Sequence, residues 1–355
     1  MVHVGIIGCG RIAEKHIASI SQFEEITVVA ISDLSTERME AIKAMLTNPT
    51  QVKTYHQYED LLLNDEIDLI VIATSSGSHA SIVKKALSVK KHVLVEKPLS
   101  LSLHESRQLT AFASQQNCHL LVCHQLRYRK LMMQIKKMIE NGKLGKIYYG
   151  KATMEIYRVP SYFEQAPWRG TWKDDGGMLI NQGIHIIDLL LWFLGDVSSI
   201  YGDMMKVHPQ KETEDVSVAM LRFKSGAKGL IEGNIITYPR NYGYSLRLFA
   251  ENGTVILSGN QLDQIDWFEI EDLKEDLRQN LLELQDDRLE HVRMYEAIVC
   301  KITGGEPELL VDGKEAEKAL ETVFAFYSSV LYKKEISLPL SSFSTTIMEK
   351  WNEHK

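Results

Sequence analysis

Val2-His3-Val4-Gly5-Ile6-Ile7-Gly8-Cys9-Gly10-Arg11-Ile12-Ala13 is the stretch whose reading decides the fold. Val2 to Ile7 is short, apolar and rich in β-branched residues, the composition of a buried parallel strand. The Gly-x-Gly-x-x-Ala turn that follows opens onto helical periodicity from Arg11 to Ile20. In such a turn Gly8 lets the chain reverse tightly, Gly10 clears space for a pyrophosphate against the backbone, and Ala13 lets the helix lie close to the strand. The helix N-terminus offers N–H groups and a partial positive charge to phosphate oxygens. A second strand, Ile26 to Ser32, ends at Asp33, where a carboxylate can accept hydrogen bonds from an adenosine ribose. Asp33 would repel a 2′-phosphate and Leu34 supplies no cation, so NAD is expected rather than NADP.

The alternation continues to about residue 125. A helix from Thr36 to Leu46 is capped by Ser35 and ended by Asn48-Pro49. Val52 to Tyr55 reads as a strand, His56 to Leu63 as a short helix and Ile67 to Ala73 as a buried strand. Ser78 is placed to cap a helix to about Val89, and Lys91 to Val95 is the next strand. Ser102 and Glu105 form a capping box for a helix to Gln116, and Cys118 to Cys123 closes the series. Strands and helices in this order imply a parallel sheet with right-handed crossovers. Ligands of such sheets bind beyond the carboxyl ends of the strands, where Gly8, Asp33, Thr74, Glu96 and His124 fall. Arg11, Ile12, Ser75, Ser76, His79 and Gln125 join the expected cofactor contacts at that edge.

After Tyr128 the character changes. A helix from Lys130 to Glu140 is followed by strand candidates at Ile147 to Tyr157, Val216 to Phe223, Lys228 to Thr237, Ser245 to Ala250 and Thr254 to Leu257. Turn signals such as Lys224-Ser225-Gly226 separate them. The expectation is an α/β protein with an N-terminal Rossmann domain over residues 1–125. A C-terminal α+β domain over 126–355 would hold a large, mostly antiparallel open sheet. One long helix, Met178 to Leu194, interrupts the strands, and two more, Leu289 to Ile302 and Lys314 to Tyr332, cover the cofactor domain or the sheet. An open sheet face needs burial, so a homodimer or homotetramer is expected.

Composition narrows the classes of function. The 355 residues suffice for two domains. A net charge of −7 argues against a nucleic-acid or membrane surface role. The four cysteines follow no zinc spacing and read as buried thiols in a reducing cytoplasm, with no metal expected. The first strand begins at Val2, which leaves no room for a signal peptide, and Asn181, His185 and Asp188 interrupt the most apolar run.

Two clusters could carry chemistry. Glu96-Lys97-Pro98 ends a parallel strand at the ligand edge. A charged pair there is ordinarily a solvated loop, but partial burial beside a cationic nicotinamide would disfavour the ammonium form and prepare Lys97 as a general base. The second cluster is Gly176 to Asp188, in which Asn181, His185 and Asp188 share one face of a helix at i, i+4 and i+7. A lone histidine in an apolar helix is ordinarily a satisfied core residue; three polar groups on one stripe need partners or a pocket. Arg158, Tyr162, Trp168 and Arg169, which precede this helix, could together contact an anionic ligand.

Taken in order along the whole chain, the Gly8 motif, Asp33, Glu96-Lys97-Pro98 and the Gly176 to Asp188 segment resemble the glucose–fructose oxidoreductase, inositol dehydrogenase and rhizopine-catabolism (Gfo/Idh/MocA) family. The resemblance implies oxidation or reduction of a sugar or polyol hydroxyl with NAD(P), usually in dimers or tetramers. By position it makes Lys97 the catalytic lysine and His185 the active-site histidine. The chain departs from it at Asn181, where many members carry an aspartate. Asn181 cannot titrate, which leaves Lys97 as the preferred base. The Ala166 to Trp172 run, Asn181 to His185, and Glu214-Asp215 are similar to a narrower branch, bacterial dehydrogenases acting on C3 of UDP-N-acetylglucosaminuronic acid in polysaccharide sugar synthesis. On this reading Lys97, Arg158, Tyr162, Asn181 and His185 bind substrate, while Trp168 and Arg169 reach the cofactor. The alternatives are an inositol or free-sugar dehydrogenase, a 3-ketosugar reductase, and a non-catalytic cofactor-sensing regulator; intact Lys97 and His185 argue against the last.

Overall fold

The computed structural model describes residues 1–353. The chain divides into two units, Met1–Tyr128 with Leu289–Glu317, and Arg129–Arg288 with the chain from Lys318 onward. In the first, β1 (Val2–Ile7), α1 (Arg11–Ile20), β2 (Ile26–Ser32), α2 (Thr36–Lys43), β3 (Lys53–Tyr55), α3 (Tyr58–Leu62), β4 (Leu69–Ile72), α4 (Ser76–Ser88), β5 (His92–Val95), α5 (Leu103–Gln115) and β6 (Leu120–Val122) follow one another. Their strands form one parallel sheet in the order β3-β2-β1-β4-β5-β6. Val4, Ile6 and the whole of β4 are fully buried, as strands covered on both faces must be. The order reverses between β1 and β4, so Gly8 sits at the switch point where such sheets take their ligand.

The second unit holds α6 (Lys130–Glu140), β7 (Ile147–Glu155), α7 (Pro160–Glu164), α8 (Ile184–Leu194), β8 (Val197–Met205), β9 (Val216–Phe223), β10 (Lys228–Asn234), β11 (Gly243–Ala250), β12 (Gly253–Gly259), β13 (Gln264–Ile270), α9 (Glu275–Glu283) and β14 (Ile336–Ser337). Eight strands pair in the order β13-β12-β11-β7-β10-β9-β8-β14. Only β7 with β10 is parallel. Along β9, buried Ser217, Ala219, Leu221 and Phe223 alternate with exposed Val218, Met220 and Arg222. One face therefore packs inward, toward the almost wholly buried α8, and the other lies open. Cross-strand register on the open face aligns Tyr201, Met220, Leu230, Lys151, Arg247, Ile256 and Trp267 in one row.

Residues 289–317, placed with the C-terminal domain by the sequence expectation, instead pack in the first unit. There α10 (Glu290–Ile302) lies against α1, and the chain beyond it bonds Val311 O to Val122 N–H and bridges Asp312 with Leu121, covering the β6 edge. Met294, Tyr295 and Ile298 enter that unit's core. The helix α11 (Gly313–Tyr332) then carries the chain into the second unit, and α12 (Glu349–Glu353) ends the described chain. No helix among the described residues is long and apolar enough to cross a membrane.

Candidate active site

The cofactor edge is built from the glycine turn outward. Gly8 has φ +95°, and a Cβ there would lie 2.6 Å from the Ala73 carbonyl oxygen, so only glycine fits. Gly10 heads α1 with no side chain capping the helix, and a Cβ on it would meet nothing within 4 Å. The space a pyrophosphate needs is thus left by the sequence itself. Asp33 accepts the Cys9 N–H at 2.8 Å and the Ser35 N–H at 2.9 Å, which fixes its carboxylate beside the turn. Arg11 is exposed and Ile12 half-buried in the first turn of α1. These features fit NAD.

Two expectations at this edge change. The helix after β4 begins at Ser76 with Ser75 in the cap position, not at Ser78. The Ser78 hydroxyl donates to the Ser75 carbonyl at 2.7 Å and lies 2.8 Å from the Thr74 hydroxyl. His79, expected to touch cofactor, is buried with Nδ1 2.7 Å from the Pro98 carbonyl and Nε2 3.1 Å from the Thr74 carbonyl. A neutral ring carries one N–H and so donates to one of these two carbonyls while lying against the other, placing the side chain between the Thr74 loop and the Lys97-Pro98 turn. Burial pushes its imidazole toward the neutral form. Glu96 is buried and Lys97 half-buried at the end of β5. Burial opposes ionisation of Glu96, but a hydrogen bond from His16 and the charge of Lys97 hold its carboxyl well below the usual range. Gln125 stands in a 3-10 turn, its Oε1 3.8 Å from the Cys123 sulfur.

On the second unit the expected continuous helix from Met178 to Leu194 is divided. Leu179–Gly183 is a π-turn, and α8 begins only at Ile184. Side chains from outside pin this entry: Glu214 accepts the Leu179 N–H at 3.0 Å and Asp175 accepts the Asn181 amide. The polar stripe is split accordingly, with Asn181 and His185 half-buried and Asp188 buried. Such π-turns favour functional sites because they re-aim side chains within a helix. Arg158, Tyr162 and Arg169 do come together. The guanidinium carbons of Arg158 and Arg169 lie 5.3 and 4.1 Å from the Tyr162 ring centroid, and Gln182 donates to the Tyr162 hydroxyl at 3.4 Å. Arg169 also donates to the Tyr162 carbonyl at 2.9 Å and to Gln165, and it lies 5.5 Å from the Trp168 ring.

Beneath this cluster lies a support that the residue pattern did not disclose. Asp175 accepts the Gly170 N–H at 2.7 Å, and Glu212 accepts the Trp172 N–H at 2.9 Å. Lys211, almost wholly buried, donates to the Glu214 carbonyl at 2.6 Å and pairs with Asp215 at 3.1 Å. Glu214 also accepts the Tyr327 hydroxyl at 2.7 Å. Gly177, with φ +104°, passes so close that a Cβ would stand 2.6 Å from a Glu214 oxygen. Burial pushes the Glu214 carboxyl up to about 7, against the opposing pull of Lys211. A 460 Å³ cavity lined by His3, Ile17, Phe23, Ile26, Leu46 and Val52 lies at the other end of the first sheet and takes no part in this site.

A Rossmann sheet with a glycine cradle and an acidic ribose position defines a dinucleotide-dependent oxidoreductase. Comparison with known proteins gives the family. Residues 2–124 match the oxidoreductase family NAD-binding Rossmann fold, and residues 132–256 match the GFO/IDH/MocA C-terminal domain. The chain belongs to the Gfo/Idh/MocA family and is an NAD-binding sugar oxidoreductase. It is 30% identical to the WlbA dehydrogenase of Bordetella pertussis, solved with NADH and UDP-GlcNAcA, with a TM-score of 0.87 covering 96% of this chain and 98% of that one. The WlbA dehydrogenase of Chromobacterium violaceum, solved with the same two ligands, is 26% identical with a TM-score of 0.88 and 96% of each chain covered. Among curated proteins, myo-inositol 2-dehydrogenase of Thermotoga maritima is 25% identical over 351 residues, 95% of this chain and 98% of that protein.

Proposed function

We propose that this protein oxidises the C3 hydroxyl of a nucleotide-linked uronic acid sugar such as UDP-N-acetylglucosaminuronate. The observation that carries the reading is the pair of guanidiniums over Tyr162, next to the Asn181–His185 helix entry. The Nε–H groups of Arg158 and Arg169 are buried with no acceptor among the described residues. Each such donor costs about 1–3 kcal/mol, relieved when an anionic ligand draws the guanidinium round. A uronate with a diphosphate supplies several anionic oxygens, which a neutral polyol does not. The likeness to two dehydrogenases solved with UDP-GlcNAcA supports the same substrate class.

In the proposed reaction Lys97 accepts the hydroxyl proton, and His185 hydrogen-bonds the reacting oxygen or a neighbouring hydroxyl to fix the pose. Bound NAD supplies the hydride acceptor. Asn181, whose amide donates to Asp175, cannot relay a proton. Orientation is the main contribution of the chain's own residues. An inositol dehydrogenase is the second reading, favoured by the full-length likeness to the Thermotoga enzyme. Nicotinamide absorbance with UDP-N-acetylglucosaminuronate against myo-inositol and free sugars decides between them. Lys97→Ala should lower turnover by orders of magnitude while NADH binding is kept; normal turnover would overturn the assignment. A second copy of the chain is proposed to cover the open sheet face, where Tyr201, Met220 and Trp267 are 48, 58 and 54% exposed.

A further inference from the structure

Behind the Glu96-Lys97 corner lies a chain of buried polar groups that the reaction above does not use. His16, on α1, is fully buried. Its Nε2 is 3.2 Å from Glu96 Oε1, and its Nδ1 is 2.8 Å from the hydroxyl of Tyr295 on α10. A carboxylate only accepts, so the hydrogen on the ring belongs to Nε2, and Nδ1 accepts from the tyrosine. The rings of Tyr295 and His291 stand edge-on to His16, at 5.9 and 6.1 Å. Cys123 reaches the same spot from the end of β6, its sulfur within 4.8 Å of the His16 and Glu96 atoms. All of these belong to the first unit.

We infer that His16 and Tyr295 are positioning residues for Lys97: Tyr295 donates to His16, His16 donates to Glu96, and the chain holds a full negative charge one residue from the amine. This rests on the assignment of Lys97 as base. A buried carboxylate loses its charge unless donors stabilise it, and His16, itself fully buried, supplies that donor. The anion in turn strengthens proton binding at the neighbouring amine. The relay therefore sets the pH at which Lys97 becomes a free base, and the return of residues 289–317 to the first unit is what delivers Tyr295. The groups facing Glu96 are His16 from α1, His79 from α4, Cys123 from the end of β6, Tyr295 and His291 from α10, and Lys97 itself. Those facing Lys97 include Glu96, His79 and Cys123.

The test reads Lys97 directly and needs no substrate. Trace acetylation across a pH series, followed by peptide mass spectrometry, gives the titration midpoint of Lys97 in the full-length protein. Glu96→Gln and His16→Leu should lower that midpoint by about one pH unit. His16→Gln, whose amide can still donate to Glu96, should return it toward wild type, and Tyr295→Phe should shift it by less than His16→Leu. NADH binding and melting temperature serve as controls for the fold; if His16→Leu fails them, Glu96→Gln and Tyr295→Phe carry the test. An unmoved midpoint in correctly folded Glu96→Gln and His16→Leu overturns the inference. An active Lys97→Ala would instead remove the assignment on which it rests, so the two failures are told apart.

Discussion

The clearest quantitative consequence concerns Glu214, whose fully buried carboxyl takes hydrogen bonds from Leu179 and Tyr327. Below pH 4.5 the group is protonated in both folded and unfolded chains and contributes no pH dependence. As the pH rises, the unfolded carboxyl ionises from its ordinary value of 4.5, whereas the folded one keeps its proton to about 7. The unfolded state is favoured progressively across that window, and the stabilisation is gone once the pH exceeds the folded value. A gap of about 2.5 pH units at 1.36 kcal/mol each amounts to roughly 3 kcal/mol, most of it between about pH 5 and pH 8. Glu214→Gln keeps a carbonyl acceptor for both donors but cannot ionise, so it should remove the slope. All five tryptophans, at 168, 172, 192, 267 and 351, lie in the second unit. Trp172 is buried 5.2 Å from the Tyr327 ring. Tryptophan fluorescence during urea unfolding therefore reports on the unit that contains Glu214. The stability of wild type relative to Glu214→Gln should fall by about 2–3 kcal/mol between those two pH values. Parallel curves for the two proteins would refute the reasoning, since every other titrating group is common to both.

Three further outcomes follow from particular contacts. Gly8→Ala should weaken NADH binding and cost about 1–3 kcal/mol of stability, because it forces a Cβ against Ala73 at a positive φ; fluorescence titration and thermal melting measure the two effects. Asp33→Ser with Leu34→Arg should move the ratio of kcat/KM for NAD over NADP by about tenfold or more, as a charge-assisted ribose contact is exchanged for a phosphate partner. Leu34 is 83% exposed, so the arginine has room. Met220→Asp, in the open sheet row, should dissociate an oligomer into smaller species in light scattering behind gel filtration, with the melting temperature of the protomer little changed.

The parts of this molecule legible in the sequence are those written in local patterns. The Gly8 turn, the apolar runs of β1 and β4 and the alternation of strand and helix lead to the parallel sheet. The run of strands from Val216 to Leu257, with no helix between them, leads to the open one. Element ends are less legible, because Ser75, Ser76 and Ser78 are all able to cap a helix and only packing chooses among them. The strand β8 is masked in the sequence by Gly202 and Asp203, and β13 by Gln264, Asp266 and Glu269, which break up its apolar residues as suits an exposed edge. A π-turn leaves no mark in apolar periodicity, so Leu179–Gly183 reads as ordinary helix. His16 carries no signal either: on α1 it stands beside Arg11, Glu14 and Lys15, and nothing local shows that it alone points inward.

The two buried carboxylate supports share one physical cause for being hidden in the sequence. Glu96 is fixed by His16, 80 residues earlier, and His16 in turn by Tyr295, 279 residues later. Glu214 is fixed by Leu179 and Tyr327, 35 and 113 residues away. Each is a buried carboxylate whose charge or proton is decided by donors from distant elements, and each stands directly behind a residue proposed to touch substrate. A reacting group on a loop can be held to a fraction of an ångström only if its neighbours are themselves held. Buried polar contacts of good geometry do that better than apolar packing, because a displaced partner leaves an unsatisfied group. The residues proposed to meet the ligand are carried by motifs, whereas the contacts that hold their surroundings in place are visible only in the folded chain.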